Sequence, residues 1–455
     1  MSGGGDRPAI RGRDGLATTE ARDLALDCVE AGIEAGHPAT VVSDAVSLDG
    51  DALRVADETY DIGEYDEVVV LGGGNAAAHV AAALETTLGD RIDRGVVVTD
   101  DPTGTESVTV REGDHPVPSE RGVEAAREVC ALADEADEAT FVLVAVTGGG
   151  SALLPAPAEA VSLADLRSVT DALLDSGATI SEINAVRKHI SQIKGGQLAR
   201  RAAPATVVSL ILSDVVGDDS SVVASGPTSP DGSTFEEALS VLARYDVDAP
   251  TAVTSRLERG AAGDTAETPG PDDPLFAGVT NHGIADGTTV LDAARDAARE
   301  RGYGALVLSS RVRGEAREAA KTHVAIAEEA LATGDPVEPP AAILSGGETT
   351  VTVRGDGEGG PNQEFAVSAA LELDSVATAQ SESGIAVAAV DTDGSDGATD
   401  AAGALVDEAT VEDAASARAA LAGNDAYPYL DARDALLVTG ATGTNLNDLR
   451  VLVVE

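Results

Sequence analysis

The sequence predicts an α/β protein of two Rossmann-like three-layer α/β/α domains, with mostly parallel sheets and a cleft between the domains. Three observations predict it. Short apolar runs such as 67–71, 141–146 and 207–212 alternate with helical spacings along the chain. These runs are apolar at nearly every position, as strands covered on both faces are. Several end directly in loops of Gly, Ser, Thr, Asn and Asp, where open α/β sheets bind their ligands.

In chain order, a helical spacing covers 18–35, followed by the run 67–71, the turn Gly72-Gly73-Gly74 and an Ala-rich helix over 75–88. A strand at 95–99, a helix over 119–133 capped by Ser119, a strand at 141–146 and a helix over 161–176 come next. After the stretch 183–196 the strand 207–212 closes a first domain, residues 16–260. Residues 260–274 are rich in Gly, Pro, Asp and Glu without periodicity and read as a linker. The second domain, 275–455, holds helices over 286–301 and 315–331 and strands at 305–308, 385–390 and 435–438. The runs 341–344 and 349–353 read as a hairpin-like pair around Gly346-Gly347. No repeat of fixed period is present.

The 455 residues are enough for two domains or three. Acidic residues number 79 against 30 basic ones, for a formal charge of −49. Such a charge strains a compact fold in dilute buffer by self-repulsion; near 1 M salt the Debye length falls to about 3 Å and the strain fades. A hydrophobic share of 43% in regular runs excludes an acidic disordered chain. The composition points to a cytoplasmic protein of a salt-loaded, halophilic cell and argues against binding nucleic acid or an anionic membrane surface. Cys28 and Cys130 have no metal-ligand spacing and read as buried thiols. No stretch has the apolar length of a membrane span. Residues 1–15 lack an apolar segment and read as a disordered tail, not a signal peptide.

The chain keeps three lysines, Lys188, Lys194 and Lys321, and two lie in the stretch 183–196. Read as a helix, this stretch buries Ile183, Val186, Ile190 and Ile193 and turns Asn184, Arg187, Lys188 and Ser191 to another face, with Lys194 at its border. Gly195-Gly196 reads as its stop. Scarce cations gathered beside an amide and a hydroxyl suit an anionic substrate, a carboxylate or a phosphate; the bland alternative is a basic face neutralising surface acid.

Six Gly- and Asp-rich loops, 72–75, 147–151, 213–219, 345–348, 391–400 and 439–447, imply a large polar site. Gly72-x-Gly74-x-x-Ala77, with Asp100 ending the next strand, also fits a loose dinucleotide fingerprint and supports a rival oxidoreductase reading. Among the carboxylates, Asp214 and Asp393 each follow an apolar strand closely and suit Mg²⁺ better than Asp218, Asp219, Asp391, Asp396 or Asp400. His115 sits in the rigid segment Gly113-Asp-His-Pro-Val-Pro118, able to position a substrate or simply to hold structure. The sequence carries neither a Gly-x-Ser-x-Gly elbow nor a Gly-x-x-x-x-Gly-Lys-Ser/Thr loop.

The stretches 183–199, 209–231, 346–365, 392–407 and 439–449 resemble the class II glycerate kinases, the glycerate 2-kinases with a MOFRL-type C-terminal domain. The resemblance runs from about residue 15 to the C-terminus; Ser-Leu-Ile-Leu-Ser-Asp-Val-Val-Gly-Asp-Asp219 and Gly346-Gly-Glu-Thr-Thr-Val-Thr-Val353 are its most specific parts. It implies an enzyme using ATP and Mg²⁺ to phosphorylate the 2-hydroxyl of D-glycerate, with a homo-oligomeric state left open. Arg187, Lys188 and Lys194 then grip carboxylate and transferring phosphate, while Asp214 or Asp393 holds Mg²⁺ or takes the hydroxyl proton. Substrate or nucleotide is cradled by Gly73, Gly74, Asn75, His115, Gly148, Gly149, Gly150, Ser151, Asn184 and Ser213, and by Gly346, Gly347, Glu348, Asn362, Glu364, Gly443, Thr444 and Asn445. Two positions depart from the family pattern: its Gly-Lys-Ala-Ala reads Gly74-Asn75-Ala76-Ala77, and its Gly-Gly-Arg-Asn-Gln-Glu reads Gly359-Gly360-Pro361-Asn362-Gln363-Glu364. Neither Asn75 nor Pro361 supplies the cation. An NAD(P)H-dependent hydroxypyruvate reductase, a name some members carry, and a catalytically weakened ligand-binding relative remain the alternatives.

Overall fold

The computed structural model describes residues 9–213, 220–377 and 384–455. They form two compact units: Pro38–Ile284 is one, and the described residues through His37 join Ala285–Glu455 in the other. This division differs from the contiguous one read from the sequence. The helix Glu20–Gly36 belongs with the C-terminal half because Arg22 pairs with Asp407 at 2.8 Å. Its Gly32 also has no room for a Cβ, which would lie 2.8 and 2.9 Å from Leu449 and Val290. The segment expected as a linker is fastened to the first unit: Thr268 donates to Asp231 at 2.9 Å, and Glu267 accepts from the Phe235 amide at 3.1 Å. The described part of the expected tail is held too, with Ile10 buried and Arg13 donating to Asp23.

After the helix Pro38–Ala45, the unit Pro38–Ile284 has three antiparallel strands, β1 (Val46–Asp49), β2 (Ala52–Val55) and β3 (Glu58–Asp61). Its main sheet holds β4 (Glu67–Gly73), β5 (Arg94–Thr99), β6 (Val108–Glu112), β7 (Thr140–Val146), β8 (Thr206–Leu212) and β9 (Val279–Ala285), in the order β6-β5-β4-β7-β8-β9. The pairs from β6 through β8 are parallel, as the unbroken apolar runs predict. Every residue of β7 is buried. Ser119 caps the helix Glu120–Glu135 by accepting from the Gly122 amide. Parallel pairing places the carboxyl ends of β4, β5, β6, β7 and β8, and so the loops after them, along one edge.

The second unit holds β10 (Gly304–Glu315), β11 (Ala341–Thr350), β12 (Ile385–Asp391), β13 (Gly403–Asp407), β14 (Leu436–Leu437) and β15 (Asp448–Val454), in the order β10-β11-β15-β12-β13-β14. Only β10 and β11 pair in parallel; the other pairs are antiparallel. The α/β class holds, but the expectation of mostly parallel pairing fails in this sheet. β15 enters between β11 and β12 and runs against both, and β13 runs against both β12 and β14. The expected pair around Gly346-Gly347 is one continuous strand: Gly346 lies opposite Leu449 and Gly347 opposite Asp448. No described helix is long and apolar enough to cross a membrane, and both cysteines are free and buried.

Candidate active site

In the unit Pro38–Ile284, the loops after β4 and β7 are bonded together. The Asn75 amide donates to the Gly148 carbonyl at 2.8 Å, and the Ala76 amide to the Thr147 hydroxyl at 3.2 Å. Gly74, at φ 141°, must be glycine, since a Cβ would lie 2.1 Å from the Thr147 hydroxyl. Gly149, at φ 73°, packs as closely on the Asn75 side chain, and Gly150 opens a short turn of helix through Leu153. Asn75 Nδ2 donates to both Asp100 oxygens at 2.9 Å, while its Oδ1 is buried without a hydrogen-bond partner. Gly73, Gly74, Asn75, Gly148, Gly149, Gly150 and Ser151 therefore form one loop system. His115 belongs to the same edge, exposed and near Asp100. Ser213 is buried at the end of β8. Asp214, Asp218 and Asp219 lie outside the described residues.

The basic stretch folds differently from the single helix read in the sequence. Its helix spans Ile180–His189, begun by a capping box between Thr179 and Glu182, and stops before Ser191. The Ser191 hydroxyl accepts from the Ile193 and Lys194 amides, each at 3.2 Å. A side chain that captures backbone donors in this way competes with helix continuation. Lys194 thus sits in a turn, 2% exposed, with Nζ donating to the Ser151 carbonyl at 2.8 Å. Burial and then the charge of Arg187 bring its ammonium pKa down to about 7. Arg187 is itself half-buried, which lowers its pKa. Neither cation has a carboxylate in ion-pair range among the described residues.

Lys188 is placed apart from these two. It makes a buried 3.2 Å ion pair with Asp231, which also accepts from the Ser233 and Thr268 hydroxyls. Burial raises the Asp231 pKa, but Lys188 and these hydrogen bonds more than offset it. Its charge is thereby satisfied inside the protein, which leaves Arg187 and Lys194 without a carboxylate partner among the described residues.

Ser225 was not singled out from the sequence, although it lies in the turn-forming run Ala224-Ser-Gly-Pro-Thr-Ser229. Ala224, Ser225 and Gly226 all have positive φ, at 50°, 61° and 61°. Non-glycine residues hold such angles at a cost, often at functional sites. Ser225 Oγ donates to Asn184 Oδ1 at 3.0 Å and lies 2.7 Å from Ser151 Oγ. The turn therefore joins Asn184, Ser151 and, through the Ser151 carbonyl, Lys194.

The second unit gathers its predicted residues around carboxylates. Asp448, at the head of β15, accepts from Asn362 Nδ2 at 2.7 Å and pairs with the fully buried Arg450. Asp396 accepts from the Asn362 and Gln363 amides at the start of the helix Pro361–Ala377. Burial nevertheless raises its pKa to about 7. Asp391 is raised well above the usual range by burial and by Asp393 and Asp448, while the exposed Glu348 lies near Asp448. Asp393 accepts from the Ser395 amide at 2.7 Å. The Glu364 oxygens are taken by Arg317 and Asn424, both at 2.7 Å. Thr444 donates to the Gly36 carbonyl at 2.6 Å, in a loop where Gly443 has φ 74° and Asn445 Oδ1 accepts from the Asn447 amide. The described residues contain no group of three acidic, His or Cys side chains arranged to hold a metal ion.

Comparison with known proteins agrees with this architecture. Residues 24–258 match a domain family of unknown function, DUF4147, and residues 341–448 match the MOFRL family. The D-glycerate 2-kinase of Thermotoga maritima is 39% identical over 435 residues, covering 94% of this chain and 97% of that protein. An Agrobacterium vitis protein named as a hydroxypyruvate reductase is 42% identical over 396 residues, with coverages of 85% and 87%. The crystal structure of the glycerate kinase from Thermotoga maritima superposes with a TM-score of 0.82 at 39% identity, covering 95% of this chain and 99% of that one. With a MOFRL family match and 39% identity over nearly its full length to a D-glycerate 2-kinase, the chain belongs to the MOFRL-type glycerate 2-kinase family.

Proposed function

We propose that this protein transfers the γ-phosphoryl group of ATP to the 2-hydroxyl of D-glycerate, giving 2-phosphoglycerate and ADP. One observation carries the reading: Arg187 and Lys194 share a largely buried corner of the Gly148–Ser151 loop system without a described counter-charge. A cation buried without a partner is costly, and an anionic substrate supplies that partner. The glycerate carboxylate is a chemical match for the Arg187 guanidinium, which can bind it bidentately. Backbone amides of the Gly73–Asn75 and Gly148–Gly150 turns are suited to phosphate oxygens.

In phosphoryl transfer the protein chiefly positions the reactants and stabilises charge. Arg187 and Lys194 orient the carboxylate and screen the charge of the transferring group, so the 2-hydroxyl oxygen meets phosphorus in line, losing its proton to solvent as its bond to phosphorus forms and the bond from phosphorus to ADP breaks. Mg²⁺ commonly keeps several waters and uses one or two carboxylates plus nucleotide phosphates. The absence of a three-ligand cluster among the described residues is compatible with an ion that enters with ATP. Mg²⁺ bound with ATP would supply charge neutralisation at the phosphates. The composition supports work in the cytoplasm of a salt-loaded cell.

Assay in molar KCl with ATP and a panel of hydroxy acids tests the reading, and ³¹P NMR identifies the phosphorylated oxygen. ATP-dependent formation of 2-phosphoglycerate is expected; no ATP-dependent product from glycerate or its near relatives overturns it. A reductase reading has the name of the Agrobacterium vitis relative in its favour. It needs Asp100 for a ribose hydroxyl, a residue that here holds the Asn75 amide. NADH consumption with hydroxypyruvate in the absence of ATP would establish it.

A further inference from the structure

The hydrogen-bond chain behind Ser151 has a direction. Asn184 Oδ1 has no proton to give, so at 3.0 Å it accepts the Ser225 hydroxyl proton. With that proton committed, Ser225 Oγ meets Ser151 Oγ, 2.7 Å away, as an acceptor. Ser151 must then donate to Ser225, and only lone pairs remain on its outer side. Ser225 is fully buried and Asn184 3% exposed, so neither is free to turn toward solvent. Ser151 is half-buried and held from behind by Lys194 on its carbonyl. A lone pair fixed beside two cations welcomes a hydroxyl donor and repels carboxylate and phosphate oxygens.

We propose that Ser151 is the specificity-determining residue that accepts the non-reacting hydroxyl of the substrate, with Ser225 and Asn184 as the positioning residues that fix its polarity. On the kinase reading above, on which this rests, that group is the 3-hydroxyl of glycerate. The carboxylate sits on Arg187 and Lys194, and the 2-hydroxyl is left for phosphoryl transfer. The strained turn at Ala224–Gly226 fits the same role: it brings a serine hydroxyl to a place that an unstrained backbone would not reach.

The test compares D-glycerate with D-lactate, which lacks only the 3-hydroxyl, as the ratio of kcat/KM values. A site built to bond a substrate hydroxyl rejects the analogue without it strongly, so the unaltered protein should favour glycerate by at least about 1,000-fold. Ser151→Ala and Ser225→Gly should each lower that ratio at least about tenfold. Glycine is chosen at 225 because φ 61° suits it, and a thermal melt in the same buffer verifies folding. Equal losses on both substrates, with the ratio unchanged, would mean a purely structural role and overturn the proposal. If the protein turns over neither acid, the kinase reading fails on its own, and calorimetric binding of the two acids replaces the rate ratio. Tighter glycerate binding that is weakened selectively by either substitution then supports the inference; equal affinities, including no binding of either acid, overturn it.

Discussion

Lys194 is placed where its charge is hardest to keep. Its folded pKa of about 7 lies below the ordinary lysine value of about 10.4, so between these values the unfolded chain holds more protons. Stability therefore rises with pH across that window, and Lys194→Met should flatten the rise in denaturation curves taken at pH 7 and pH 9. An anion bound beside Lys194 restores its proton; calorimetry at pH 8 in buffers of different ionisation enthalpy should show proton uptake with glycerate, lost in Lys194→Met. Lys188 behaves oppositely. Lys188→Ala strands Asp231 as a buried, unpaired charge and should cost about 3–5 kcal/mol in urea unfolding. At Asn75, an ammonium would meet the Asp100 carboxylate that the amide now bonds. Pro361 opens its helix, and the next two amides already serve Asp396. Asn75→Lys with Pro361→Arg should thus be structurally tolerated and raise the kinase rate; an unchanged or lower rate would show that those cations are dispensable here.

At the scale of elements, the site rests on turns whose geometry only glycine or a bonded side chain permits. Gly72 has φ 149°, and a Cβ there would lie 2.1 Å from the Ala145 carbonyl oxygen of the neighbouring strand. Gly72→Ala should cost about 3 kcal/mol or more, measured as a lowered unfolding midpoint, because neither backbone can yield. The strands β4, β5, β7 and β8 were legible as apolar runs, since that signal is local. The end of the basic helix was not legible: Ser191 stops it by capturing two amides, a choice its apolar spacing does not reveal. Nor was β15, whose run Asp448-Leu-Arg-Val-Leu-Val-Val454 carries an arginine in the middle. Arg450 is fully buried there because Asp448, Thr349 and the Phe365 ring surround it.

Over the whole molecule, charge decides the working conditions. Raising KCl from about 0.1 M to about 1 M shortens the Debye length from about 10 Å to about 3 Å. The melting temperature should climb steeply over this range, since the charge of −49 is spread over exposed carboxylates. A melting temperature independent of salt would refute that account. By itself the sequence determined the α/β class, the parallel core of the first sheet, the acid-rich surface and the family likeness, because periodicity, composition and short motifs are properties of neighbouring residues. Only the tertiary structure decided that residues 20–36 pack with the C-terminal half, that β15 runs against both its neighbours in the second sheet, and that Lys188 is paired with Asp231 while Arg187 and Lys194 meet no carboxylate among the described residues. Those outcomes depend on partners far apart in the chain, Arg22 with Asp407, Arg450 with Thr349, Lys188 with Asp231, and no local pattern encodes which distant carboxylate or hydroxyl a cation will meet.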